Sequence, residues 1–243
     1  MPRFFSKNIN GEKCVITGDD AKHISKVLRM RTGDEVTVCD TEGHDYLCKI
    51  EDISKTEVVL KVCSVLESVS ESDVKISVFQ ALPKASKMET IIQKCTELGA
   101  YEFFPCALSR CVVKFENKSD ASKKAERWQA ISEAAAKQSM RGIIPKVHSP
   151  VSFLEAIEKL KTFDLCFVCY ENETETTLKS LLSSKSDVKN VAFLIGPEGG
   201  IADEEAKLLS EHNIKTVSLG KRILRTETAP VAVLAMLNYE FDK

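Results

Sequence analysis

The sequence predicts an α/β protein, with a buried parallel sheet covered by helices on both faces, preceded by a small β-barrel. Three observations predict it. Residues 1–70 hold short strand-like runs broken by Gly, Asp and Asn turns. From residue 73 onward, near-continuous apolar runs alternate with helical segments, the pattern of a parallel sheet. Between them, Glu67 to Asp73 is polar and Ser-rich and reads as a linker. The expected domains are therefore 1–70 and 73–243.

Each element follows from local pattern. Cys14–Thr17, Glu35–Asp40, Tyr46–Ile50 and Glu57–Val62 read as barrel strands, with one short helix over Asp20–Arg29. Val74–Leu82 reads as the first strand of the second domain. Lys84–Leu98 reads as a helix, with Met88, Ile91, Ile92, Cys95 and Leu98 at helical spacing and Gly99 as its stop. Tyr101–Phe104 is a strand and Asp120–Met140 a long helix, with Trp128, Ile131 and Ala135 on its inner stripe. Ser152 and Glu155 form a capping box that opens a helix to Leu160. Phe163–Tyr170, Val188–Ile195 and Lys215–Leu219 are apolar strands, and Asp203–Glu211 is a helix between the last two. Residues 171–187 read as a surface loop with a short helix. A terminal helix starts near Thr228, with Pro230 in its first turn.

Composition excludes several classes. The chain has 243 residues and a net charge of −2, so it carries no global basic signature for nucleic acid. No apolar run is long enough for a membrane span. The N-terminus lacks a signal-peptide core, so a cytoplasmic protein is expected. Its nine cysteines sit singly in apolar stretches and read as core residues. Cys166 and Cys169 fall on opposite faces of one strand, and no second pair stands at zinc spacing, so no metal is expected.

Two glycine-bearing segments carry the most chemical information. One is Ile195-Gly196-Pro197-Glu198-Gly199-Gly200, and the other runs from Leu219-Gly220 through Arg222, Arg225, Thr226, Glu227 and Thr228 to Ala229. Each follows an apolar strand and precedes a helix, where open parallel sheets bind ligands. Glycine lets backbone N–H and C=O groups approach a ligand. No Gly-Lys-Ser/Thr ending and no Gly-x-Gly-x-x-Gly is present, and Glu198 would repel a phosphate. A cationic or neutral ligand suits the first loop better.

At these residues the chain resembles the SPOUT class of RNA methyltransferases. Within that class it is similar to the family that methylates N3 of a uridine in 16S ribosomal RNA. Arg3-Phe4-Phe5, His23 to Arg31, Lys84 to Lys87, Gln93 to Gly99 and Glu133 to Arg141 agree with the same family. The resemblance implies a PUA-like barrel, an α/β domain with a C-terminal trefoil knot, S-adenosylmethionine as methyl donor, and a homodimer with composite active sites. It places Leu194, Ile195, Gly196, Pro197, Gly199 and Gly200 in the cofactor pocket. Leu219, Gly220, Ile223, Leu224, Thr226, Thr228 and Ala229 belong to it as well.

Methylating uridine N3 requires removing a proton held above neutral pH, so a base or a stabiliser of the anion is needed. Arg225 is a candidate for a uracil oxygen or a phosphate. Glu227 and Glu198 are candidates for base or orienting group, although Glu227 equally suits a helix N-terminus. Arg3, Lys22, His23, Lys26, Arg29 and Arg31 are candidate RNA contacts, with Lys84, Gln138 and Arg141. Two other readings stay open: a non-catalytic RNA-binding protein of the same fold, and a nucleotide-phosphate-binding α/β protein.

Overall fold

A computed structural model describes residues 1–114, 118–183 and 187–242. The chain divides into two units: Met1–Glu71 with Ala136–Ile144, and Ser72–Ala135 with Pro145–Lys243.

The first unit holds β1 (Arg3–Phe5), β2 (Ile9–Asn10), β3 (Lys13–Thr17), α1 (Gly18–Lys22), β4 (Glu35–Cys39), β5 (His44–Ile53) and β6 (Glu57–Glu67). They form one six-stranded sheet in the order β1-β4-β5-β6-β3-β2. Only β1–β4 is parallel; the other pairs are antiparallel. Register shifts in β5 between Leu47 and Cys48, and between Ile50 and Asp52, increase the local twist and curl the sheet. Phe4, Cys14, Ile16, Ile24, Val36, Val38, Ile50, Val58 and Leu60 fill its core. The helix expected over Asp20–Arg29 is shorter. α1 gives way to one π-helical turn over His23–Val27, and Arg29 at φ +52° turns the chain away. β6 runs through Glu67, into the stretch expected as linker. In the rest of that stretch, Glu71 accepts from Arg141 Nη2 at 2.6 Å and from the Gly142 amide at 2.7 Å. That carboxylate ties 136–144 to this unit.

The second unit holds β7 (Lys75–Ala81), α2 (Lys87–Glu97), β8 (Glu102–Ala107), α3 (Lys118–Gln138), β9 (Lys146–Val147), β10 (Val151–Ser152), α4 (Phe153–Leu160), β11 (Leu165–Cys169), α5 (Leu178–Leu182), β12 (Asn190–Ile195), α6 (Asp203–Glu211), β13 (Lys215–Val217) and α7 (Ala229–Phe241). α3 enters the first unit at residue 136. The sheet runs β10-β8-β7-β12-β11-β13, with β9 on β8, and every pair is parallel. Phe79, Phe103, Phe167 and Phe193 are fully buried in it. Each contributes about 1.5–3 kcal/mol by leaving water. The Ser152–Glu155 capping box opens α4 as its spacing predicts. α5 is the short helix expected within 171–187, of which 184–186 lie outside the described residues. α7 is held to the end of α2 by Asn238 Nδ2, which donates to the Leu98 carbonyl at 2.7 Å.

α2 begins at Lys87, three residues later than expected. Ala85 takes φ +54°, and the Lys84 amide donates to Glu198 Oε1 at 3.1 Å instead of entering a helix. Among the described residues, no helix is long and apolar enough to cross a membrane.

Candidate active site

β12 and β13 flank β11, so their carboxyl ends lie on either side of it. The loop after β12 (Gly196–Gly200) and the loop after β13 (Ser218–Thr228) border one cleft of about 520 Å³, together with Cys169, Tyr170 and Glu171 beyond β11. That volume is in the range of small-molecule sites.

Both loops are pinned from behind. Thr226 donates to the Gly196 carbonyl at 2.8 Å, and Gln80, fully buried at the end of β7, donates to the Thr226 hydroxyl at 3.0 Å. Arg110 Nη1 donates to the Gly199 carbonyl at 3.0 Å and to that of Ile201 at 3.2 Å. Glu205, in the first turn of α6, accepts from the amides of Ser109 (2.8 Å) and Ala202 (3.0 Å). The first loop is therefore preorganised. Gly200 sits at φ +71° and Gly220 at φ +109°, where other residues are strained.

The charges meet at Lys87. Its Nζ lies 2.9 Å from Glu198 Oε1 and 3.2 Å from Glu227 Oε2, so one ammonium joins a carboxylate from each loop. Arg225 Nη1 stands 3.9 Å from Glu227 Oε1 and is otherwise open to solvent. Burial pushes the Glu198 carboxyl up, but its bonds to Lys87 and the Lys84 amide outweigh burial and hold it below the ordinary carboxylate range. Glu227 is likewise pushed up by burial and more strongly down by its own amide, Lys87 and Arg225. The Lys87 ammonium is raised by Glu198, then by Glu227. At neutral pH both carboxylates are ionised and Lys87 is charged. Cys169 also lines the cleft, but burial raises its thiol, so it supplies no thiolate nucleophile at neutral pH.

Most residues expected for the cofactor pocket line this cleft: Ile195, Gly196, Pro197, Gly199, Gly200, Leu219, Gly220, Ile223, Leu224, Thr226 and Ala229; so do Glu198 and Arg225, expected for the chemistry. Leu194 and Thr228 do not. Leu194 points into the sheet core with no exposed surface, and Thr228 is an exposed residue at the N-terminus of α7. Thr226 is only 5% exposed, because its hydroxyl is used between the loops. Glu227 is reached through Lys87 rather than lining the cleft.

The expected RNA contacts divide. Lys22, His23, Lys26, Arg29 and Arg31 are exposed on α1, the π-helical turn and the segment after it; Gln138 and Lys84 are exposed as well. The side chains of Arg3 and Arg141 are buried instead. Arg3 is 5% exposed at its side chain, lies 2.7 Å from Asp45, and donates to the Arg141 carbonyl. The Arg141 side chain is 4% exposed and paired with Glu71. A buried, paired guanidinium is not available to a phosphate. Gln80, Arg110 and Glu171 are the residues that sequence reasoning missed, and Lys87, in a segment that agrees with the family, is given no role at the site by it. Lys87 stands in a helical run where its charge reads as a solvated face, and its partners are distant in sequence. Among the described residues, no group of three or more His, Cys, Asp or Glu is placed to hold a metal.

With this fold and cleft, the chain matches an RNA methyltransferase carrying a PUA domain. The family described as RNA methyltransferase domain matches residues 70–238, and that described as RNA methyltransferase PUA domain matches residues 16–63. A ribosomal RNA small subunit methyltransferase E from Bacillus subtilis is 38% identical over 231 residues, 93% of this chain and 90% of that protein. The chain belongs to the ribosomal RNA small subunit methyltransferase E family. The crystal structure of such an enzyme from Neisseria gonorrhoeae, bound to S-adenosyl methionine, superposes with a TM-score of 0.87 at 28% identity over 98% of this chain and 97% of that one. A methyltransferase from Legionella pneumophila, in complex with the same cofactor, gives 0.84 at 32% identity over 98% and 96%.

Proposed function

We propose that the chain transfers a methyl group from S-adenosylmethionine to N3 of one uridine in the 16S rRNA of the small ribosomal subunit. The observation that carries this reading is the pair of glycine loops, joined through Thr226 and Gly196 around one cleft, each sending a carboxylate (Glu198 and Glu227) to Lys87. The lining fits the cofactor. It offers backbone groups, the aliphatic Leu219, Ile223 and Leu224, and both signs of charge, with open space around Gly220. S-adenosylmethionine supplies an electrophilic methyl on a cationic sulfur.

The chain's residues have the remaining work. Loss of the N3 proton to solvent water leaves negative charge on the uracil oxygens, and Arg225, exposed at the cleft beside Arg222, offsets it. Glu227 orients Arg225 and shares Lys87 with Glu198; held below the ordinary range, both carboxylates are weak bases and better suited to orienting these cations. The target base must be unpaired or flipped out to present N3. Lys22, His23, Lys26, Arg29 and Arg31 contact RNA phosphates from domain 1–70, with Gln138 and Lys84 as further polar contacts. Domain 73–243 carries the chemistry. The reading includes a C-terminal trefoil knot, a cytoplasmic location and a homodimer.

Glu227→Gln tests it. Methyl transfer to small-subunit RNA is expected to fall at least tenfold while calorimetric affinity for S-adenosylmethionine changes little. Undiminished transfer by that variant removes Glu227 from the mechanism.

A further inference from the structure

We propose that Glu171 fixes the ribose of the cofactor, its carboxylate accepting hydrogen bonds from the two vicinal hydroxyls. The proposal rests on the reading of the cleft as an S-adenosylmethionine site. Glu171 stands two residues beyond the end of β11, the strand between those that carry the two glycine loops. Its carboxylate lies against the backbone of Gly200, where a Cβ would come 1.7 Å from Oε1 and 3.3 Å from Oε2. A glycine at 200 thus leaves room for that carboxylate beside the first loop.

Two glutamates share this turn, and they do different things. Glu173 belongs to the fold. Its Oε1 accepts from the amides of Glu175 at 2.8 Å and Thr176 at 3.0 Å, and its Oε2 accepts from the Thr216 hydroxyl. The Glu171 carboxylate has no hydrogen-bond or ion-pair partner among the described residues, yet it lines the cleft. The other carboxylate in the lining, Glu198, is already engaged by Lys87 and the Lys84 amide. Glu171 is therefore the carboxylate at the cleft with acceptor capacity to spare, and an ionised carboxylate only accepts, through two oxygens. A vicinal diol presents two O–H donors that such a pair can meet. In dinucleotide-binding sheets of a different fingerprint, an acidic side chain likewise takes a ribose hydroxyl.

Calorimetry on the full-length protein tests this with S-adenosylhomocysteine and its 2′-deoxy analogue. The wild type is expected to bind the deoxy analogue about tenfold more weakly or worse, as loss of a bond to a charged acceptor implies. Glu171→Ala is expected to bind S-adenosylhomocysteine about 10- to 100-fold more weakly and to lose discrimination between the two ligands. Glu171→Gln, which keeps one acceptor, should fall between. An unchanged melting midpoint for both variants separates lost contact from lost fold. Undiminished binding by Glu171→Ala, or full discrimination retained by it, overturns the proposal. So does a loss confined to ligands carrying the amino-acid tail, read against 5′-methylthioadenosine. Failure of the wild type to bind S-adenosylhomocysteine at all is a different result, and it sinks the cofactor reading itself.

Discussion

The Thr226 hydroxyl donates to the Gly196 carbonyl at 2.8 Å, so a side chain of the second glycine loop holds the backbone of the first. Gln80 completes the chain by donating to that same hydroxyl. The bond makes the cleft one preorganised object rather than two adjacent turns. Preorganisation of this kind lowers the ordering cost of binding.

Thr226→Val keeps the shape and removes the hydroxyl. It leaves the Gly196 carbonyl without this donor and Gln80 without this acceptor, so stability should fall by about 1–3 kcal/mol. S-adenosylmethionine affinity should fall with it, and Thr226→Ser should restore both. Urea denaturation and calorimetry on the three proteins check this; a Val variant with native affinity would show that the two loops bind independently.

Lys87→Met leaves Glu198 and Glu227 facing each other across the position of the lost ammonium. Both carboxylates are depressed in the native protein, so what they contribute is present above their unfolded values and lost as pH falls through the folded ones. Removing Lys87 raises both folded values. The acid limb of folding stability should therefore move to higher pH in the variant, with Lys87→Arg nearer the wild type. Denaturant midpoints from pH 3 to 8 check the direction; superimposable acid limbs would rule out the charge link.

Glu71 and Arg141 make a further case in the first unit. Burial pushes Glu71 up, but Arg141 and the Gly142 amide hold it below the ordinary range. Its stabilisation is thus complete above the unfolded carboxylate value and lost as pH drops through the lower folded value. Glu71→Gln takes away the charged acceptor of a buried guanidinium and should cost about 2–3 kcal/mol at neutral pH. The difference from wild type should shrink in acid. Denaturant midpoints at pH 7 and pH 3 check both statements.

Neutralising Lys22, Lys26, Arg29 and Arg31 together should weaken RNA binding and flatten its salt dependence by roughly 3 in log–log slope. The cofactor site should be unaffected. Filter binding across a salt series measures the slope, and an unchanged slope would move the RNA footprint elsewhere. Arg3 is left out, because its guanidinium is buried against Asp45.

Legibility in the sequence followed the range of the interactions. The Ser152–Glu155 capping box and helix 203–211 rest on contacts a few residues apart, and local spacing predicts them. Apolar runs give β11 and β12, because both faces of a parallel strand are buried. The two-residue strands β9 and β10 carry no period at all. The glycine loops were legible as turns, and their shared cleft followed from two such turns close in sequence. Lys87 was not legible. Its role arises because β7 lies beside β12, which carries the turn before α2 to the Gly196–Gly200 loop. The burial of Arg3 and Arg141 is not legible either, for the converse reason. A positive charge in sequence does not announce burial, and the carboxylate facing Arg141 lies in a stretch whose polarity reads as a linker.

If the protein methylates N3 of a uridine in small-subunit RNA, as proposed, the purified 16S rRNA of a strain lacking this gene should contain no N3-methyluridine. Mass spectrometry of its nucleosides measures this. The wild-type gene, but not the Glu227→Gln variant, should restore the modified nucleoside; an unchanged N3-methyluridine content in the deletion strain would overturn the proposal.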